Sequence, residues 1–172
     1  MNTKIIYLNI LMIILFNNLI FAEKFTANNP IMKLHNKENK IEVIIRLQPF
    51  SENDAIKKGY WGMLMEDYKY VLKYYKIHVH KIVSIQIKRD NKEIFVPISA
   101  YMDLSNVYEV KLIIQDKNSF YIYIIGGDAA AAYEAYIYIK GYEVIKRKVV
   151  CGEMPDEVWE ETIYSWEPDD GR

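Results

Sequence analysis

The chain is poor in the residues that staple or loosen small proteins. It has one cysteine, Cys151, so an intramolecular disulfide is excluded, and a disulfide framework with it. A lone thiol is buried, reactive or paired with another chain, and burial is the expectation because free cysteine packs as a small hydrophobe. Glycine and proline number only 7 and 5. No internal repeat and no second domain are visible. No apolar run reaches the roughly 20 residues that a transmembrane helix needs. Ser-x-x-Lys, Gly-x-Ser-x-Gly and His-Glu-x-x-His are all missing, and Gly126-Gly127 is followed by no Gly-Lys-Ser/Thr. No nucleic-acid-binding motif occurs either.

The first 22 residues carry the clearest signal. Lys4 is their one charge, an apolar run from Ile5 to Phe16 is broken only by Asn9, and Ala22 precedes the charged pair Glu23-Lys24. A positive start, a short apolar stretch and a small residue before polar sequence read as a secretory signal peptide. The expected organisation is residues 1–22 as signal peptide, 23–40 as an extended lead-in, 41–151 as one domain, and 152–172 as an acidic tail. The expected location is periplasmic or secreted, with no stable membrane span after cleavage.

Charge is unevenly spread. Residues 152–172 hold eight acids and one base, a net of −7, whereas residues 23–151 hold 20 bases and 15 acids, a net of +5. Such a tail either folds back on its own basic body or meets a basic partner, and the first is the expectation. With 51% hydrophobic and 14% aromatic residues, the body can bury a real core.

Ile41 to Leu47 is β-branched and stops before Pro49, which reads as a strand. Ser51 to Asp54 offers a helix cap. Tyr60, Leu64, Tyr68, Val71, Leu72 and Tyr75 recur at three- and four-residue steps, which predicts a long helix ending near Lys76. Alternation then predicts strands over Val79–Ile87, Glu93–Ala100, Tyr108–Gln115, Phe120–Ile125, Tyr133–Lys140 and Glu143–Val150, separated by short polar turns. Pro155, Asp156 and Glu157 suggest the start of a short tail helix carrying Trp159, Ile163 and Trp166 on one face. The predicted fold is α+β: an antiparallel meander of about five or six strands with one long helix packed on a face.

Candidate sites are few. His78 and His80, two apart on a strand, share a face and could share a metal if His35, Asp103 or Asp128 supplied a third ligand. Two solvent-exposed histidines are the simpler reading. Asp128 after Gly126-Gly127 could act on a cation or a proton, although turn formation explains it as well. Tyr121 and Tyr123 share one strand face, and Tyr136 and Tyr138 share a face of the next. If the two faces coincide they form an aromatic patch of the kind that binds proteins, peptides or sugars. Trp159 and Trp166 are further candidate contacts. Five tail acids, Glu153, Asp156, Glu157, Glu160 and Glu161, supply carboxylates without the cleft that a glycosidase pair needs. No cofactor is implied.

Together these features suggest an exported, non-enzymatic domain that binds another protein of a bacterial envelope, as an inhibitor, an immunity-like protein or an accessory subunit. A small hydrolase or metal-dependent enzyme using His78, His80 and Asp128 is one alternative. A sugar- or lipid-binding module is another.

Overall fold

Alternation of buried and exposed residues governs nearly every element. The computed structural model describes residues 30–50, 59–62 and 79–165, with the backbone of Leu19–Ile20. Ten strands follow in chain order: β1 Leu19–Ile20, β2 Ile31–Asn36, β3 Ile41–Pro49, β4 His80–Arg89, β5 Lys92–Ile94, β6 Val107–Ile114, β7 Ser119–Gly126, β8 Tyr133–Lys140, β9 Glu143–Cys151 and β10 Val158–Ile163. They form two antiparallel sheets. One has the order β2-β3-β4-β5. The other is a meander of β6 to β10, with the two-residue β1 on the far side of β6.

The two sheets share one core. Leu34, Val43, Ile45 and Ile87 come from the smaller sheet, and Leu112, Ile122, Ile137 and Val149 from the larger. Strands β2 to β9 turn alternate side chains into this layer, so neither sheet needs a helix to cover its apolar face.

This corrects the predicted α+β class. The described residues are nearly all β, and their only helical pieces are the three-residue 3-10 turns Ile98–Ala100 and Ala129–Ala131. Residues 63–76 of the predicted helix, and its predicted cap at residues 51–54, lie outside the described residues. Among the described residues no helix is long and apolar enough to cross a membrane.

The predicted tail helix is also replaced. Val158–Ile163 is a strand paired with β9. Its acids explain the preference. Arg147 Nη1 on β9 lies 2.6 Å from Glu160 Oε1, and Lys146 Nζ lies 3.4 Å from Glu161 Oε2. Cross-strand charge pairs of this kind are available only in the extended form. The region read as an unpatterned lead-in contributes β2, whose Met32, Leu34 and Asn36 point inward.

A bulge sets the face of β4. Arg46 pairs with Ser84 but Leu47 pairs with Ile82, so Val83 is an extra residue. His80 and Ile82 before the bulge, and Ile85 and Ile87 after it, all face the core. The β4–β5 turn places Asp90 and Asn91 at φ 49° and 63°, the left-handed pair of a type I′ hairpin.

At one end of the sandwich, Arg89 of β4 donates to the carbonyls of Lys117 and Gly141 in the turns of the other sheet. At the opposite end, the wholly buried Tyr133 donates its hydroxyl to Ser105 O at 3.0 Å. Gly126 and Gly62 lie against the Tyr133 ring. A Cβ on Gly126 would sit 2.6 Å from the ring carbon Cζ, and one on Gly62 would sit 2.8 Å from Cε1. Glycine is required there by the close approach of the ring.

Candidate functional site

The outer face of the larger sheet is built around four tyrosines. Register pairs Tyr121 with Tyr138 and Tyr123 with Tyr136 across β7 and β8. The two predicted faces therefore coincide. Ring centroids lie 5.4 Å apart for Tyr121–Tyr138, 5.0 Å for Tyr123–Tyr136 and 5.8 Å for Tyr121–Tyr136. All four are half-buried, on the side of the sheet opposite the core. Tilted rings at these spacings add attraction beyond the area they cover.

Charged residues border the cluster. Lys111 Nζ sits 5.7 Å from the Tyr123 ring centre, and Lys146 Nζ sits 4.8 Å from that of Tyr138. Each lysine is also paired with a carboxylate, Lys111 with Glu109 at 2.9 Å and Lys146 with Glu161 at 3.4 Å. Tyr136 donates to Glu134 Oε2 at 2.5 Å. Burial raises the phenol pKa of all four tyrosines above the ordinary value, and for Tyr123 and Tyr136 the Glu134 carboxylate raises it further. The face is thus neutral, aromatic and hydrogen-bonding, with its phenols held protonated.

A second feature lies at the Tyr133 end. Trp159 of β10 stacks on Trp61, with centroids 5.4 Å apart and planes at 17°. Tyr60, Ala130 and Ala131 complete an open cleft of about 510 Å³ around the pair. The alanines follow Asp128, whose exposed side chain makes no capping bond to the turn it begins. A neighbouring cleft of about 410 Å³ holds Asp103, Arg147 and Glu160. Arg147 Nη2 lies 2.7 Å from both oxygens of Asp103. Burial raises the Asp103 carboxyl above its ordinary pKa against the opposing pull of Arg147.

No family model matches the chain, and no curated protein or solved structure matches it either.

The predicted site residues are only partly brought together. Tyr121, Tyr123, Tyr136 and Tyr138 form one cluster. Asp128 and Trp159 lie at the Trp61 end, apart from that cluster. His78 and Trp166 lie outside the described residues. His80 is 6% exposed, because the β4 bulge turns it inward with Ile82, whereas Asp128 is exposed. Asp103, a possible third metal ligand, is instead the partner of Arg147. Among the described residues no group of three or more His, Cys, Asp or Glu side chains is placed to hold a metal. Cys151 is buried. The tail acids Glu160 and Glu161 engage Arg147 and Lys146 of the body.

Two contributors escape sequence reasoning. Trp61 stands within the helix-like pattern and gives no sign of its contact with Trp159. Arg147 is 3% exposed. It shares its side of β9 with Val149, and a basic residue among apolar ones was the signal available.

Proposed function

We propose that this protein is an exported, non-enzymatic domain of a bacterial envelope that binds another protein through the tyrosine face. The observation carrying this reading is the packed cluster of Tyr121, Tyr123, Tyr136 and Tyr138 on the solvent side of β7 and β8. Tyrosine gives large contact area at low entropic cost, and its hydroxyl can satisfy polar groups on the partner. Export is supported by the pattern of residues 1–22. The test is capture from envelope extract with wild-type protein and with a Tyr121→Ser/Tyr138→Ser variant. One stoichiometric partner, held by the wild type and lost by the variant, is the expected outcome. Equal capture by both proteins removes the tyrosine face from the proposal.

The stacked pair Trp61–Trp159 favours a second reading, a sugar-binding module. Indole faces in an open cleft suit the apolar faces of sugar rings. Quenching of tryptophan fluorescence by soluble glycans supports this reading, and an unchanged spectrum across a glycan panel removes it.

A further inference from the structure

Among the described residues, no strand pairs with the outer edge of β10. It differs from the β5 edge of the smaller sheet. β5 is three residues long and is followed closely by Pro97, a residue that blunts a sheet edge. β10 runs for six residues without proline. Tyr164 N–H points into the sheet, to Ile145 O at 3.0 Å. Strand alternation then turns the N–H and C=O of Glu161 and Ile163 outward. Apolar side chains stand exposed at both ends of this edge, Val158 at 48% and Ile163 at 66%.

The charge along the edge is of one sign. Asp156, Glu157, Glu160 and Glu161 lie on or beside β10, which carries no base. Within the adjacent cleft, Asp103 and Glu160 share the guanidinium of Arg147, two carboxylates on one cation among the described residues. Met102 and Tyr60 supply apolar walls to the same cleft. Antiparallel pairing of β10 with a second copy would set these acids against one another, so self-association is disfavoured.

We propose that β10 is a docking edge for a basic extended segment of a partner protein. The segment pairs with Glu161 and Ile163 as an added strand, and a lysine or arginine on its inward side enters the cleft beside Asp103 and Glu160. Main-chain bonds supply affinity, and the alternating basic side chains supply selectivity. The edge adjoins the tyrosine face through Glu161, Lys146 and Tyr138, but it offers backbone groups of β10 where that face offers rings, so Ile163→Pro and the tyrosine variant test the two surfaces separately.

The test uses short labelled peptides and fluorescence anisotropy. The probes are an alternating lysine–valine peptide, the same peptide with a central proline, and its glutamate–valine counterpart. The wild-type protein is expected to bind the lysine–valine peptide at least about tenfold more tightly than either control, with affinity falling as salt rises. Ile163→Pro removes an outward donor at an edge position where proline is tolerated, and should weaken binding at least about tenfold. Ile163→Ala keeps the edge and should stay within about threefold of the wild type. Equal binding of the proline-interrupted peptide, unchanged binding by Ile163→Pro, or no binding up to about 1 mM peptide overturns the proposal.

Discussion

Arg147 on β9 reaches Asp103 on the β5–β6 connection with one terminal nitrogen 2.7 Å from each carboxylate oxygen. Its other terminal nitrogen holds Glu160 of β10 at 2.6 Å. A single buried cation therefore ties the edge strand and a long connection to the meander. Replacing Asp103 with alanine leaves this guanidinium with one partner in place of two. Loss of about 2–3 kcal/mol of stability is expected, read as a lower urea midpoint at unchanged slope. A change under about 0.5 kcal/mol would show that water replaces the carboxylate without cost.

Tyr133 packs directly against Gly126 at the same end. Tyr133→Phe deletes the donor to Ser105 O and should cost about 1–2 kcal/mol. Gly126→Ala drives a methyl group into the Tyr133 ring and should cost more, about 2–3 kcal/mol. Thermal unfolding of the two variants checks the order. The reverse order would mean that the ring moves aside freely.

The tyrosine face gives a pH dependence. In the folded protein, burial raises the pKa of Tyr121, Tyr123, Tyr136 and Tyr138 above 10.0, so the folded state holds their protons longer than the unfolded chain does. Their contribution to stability is complete below pH 10 and is lost as pH rises through the folded values. Alkaline titration followed by tyrosinate absorbance should show these phenols ionising late, with stability falling as they do. Ionisation of all tyrosines in a single step near pH 10 would contradict the packed cluster.

The Asp90–Asn91 turn holds two non-glycine residues in left-handed geometry. Asn91→Gly creates the Asp-Gly pair that type I′ hairpins prefer and leaves the Lys40–Asp90 pair in place. A gain of about 0.5 kcal/mol is expected from denaturant unfolding. A loss of stability would mean that the Asn91 side chain contributes contacts beyond its backbone geometry.

Local pattern alone was enough for the hairpins. Phe120–Ile125 and Tyr133–Lys140 alternate, flank Gly126-Gly127-Asp128 and pair as the expected hairpin, and Ile41–Leu47 forms the expected strand, although its partner β2 was not foreseen. The tyrosine cluster was legible for the same reason, because period two and a fixed register place Tyr121 and Tyr138 side by side. The tail misled: Trp159, Ile163 and Trp166 fall at helical steps, but Glu160 and Glu161 find their partners on β9, a fact of tertiary structure. His80 misled through parity, since one bulged residue at Val83 exchanges the inward and outward faces of β4.

What the sequence determined by itself is therefore the meander of hairpins from β6 to β9, the tyrosine pair on one face of β7 and on one face of β8, and the acidic character of the last residues. These depend on neighbours close in the chain, where side-chain period and turn chemistry act directly. The tertiary structure alone decided that a second sheet covers the meander, that Trp61 meets Trp159, and that Arg147 joins Asp103 to Glu160. Those contacts bring together residues far apart in sequence, and burial of the two sheets' apolar faces against each other selects them only once both sheets exist.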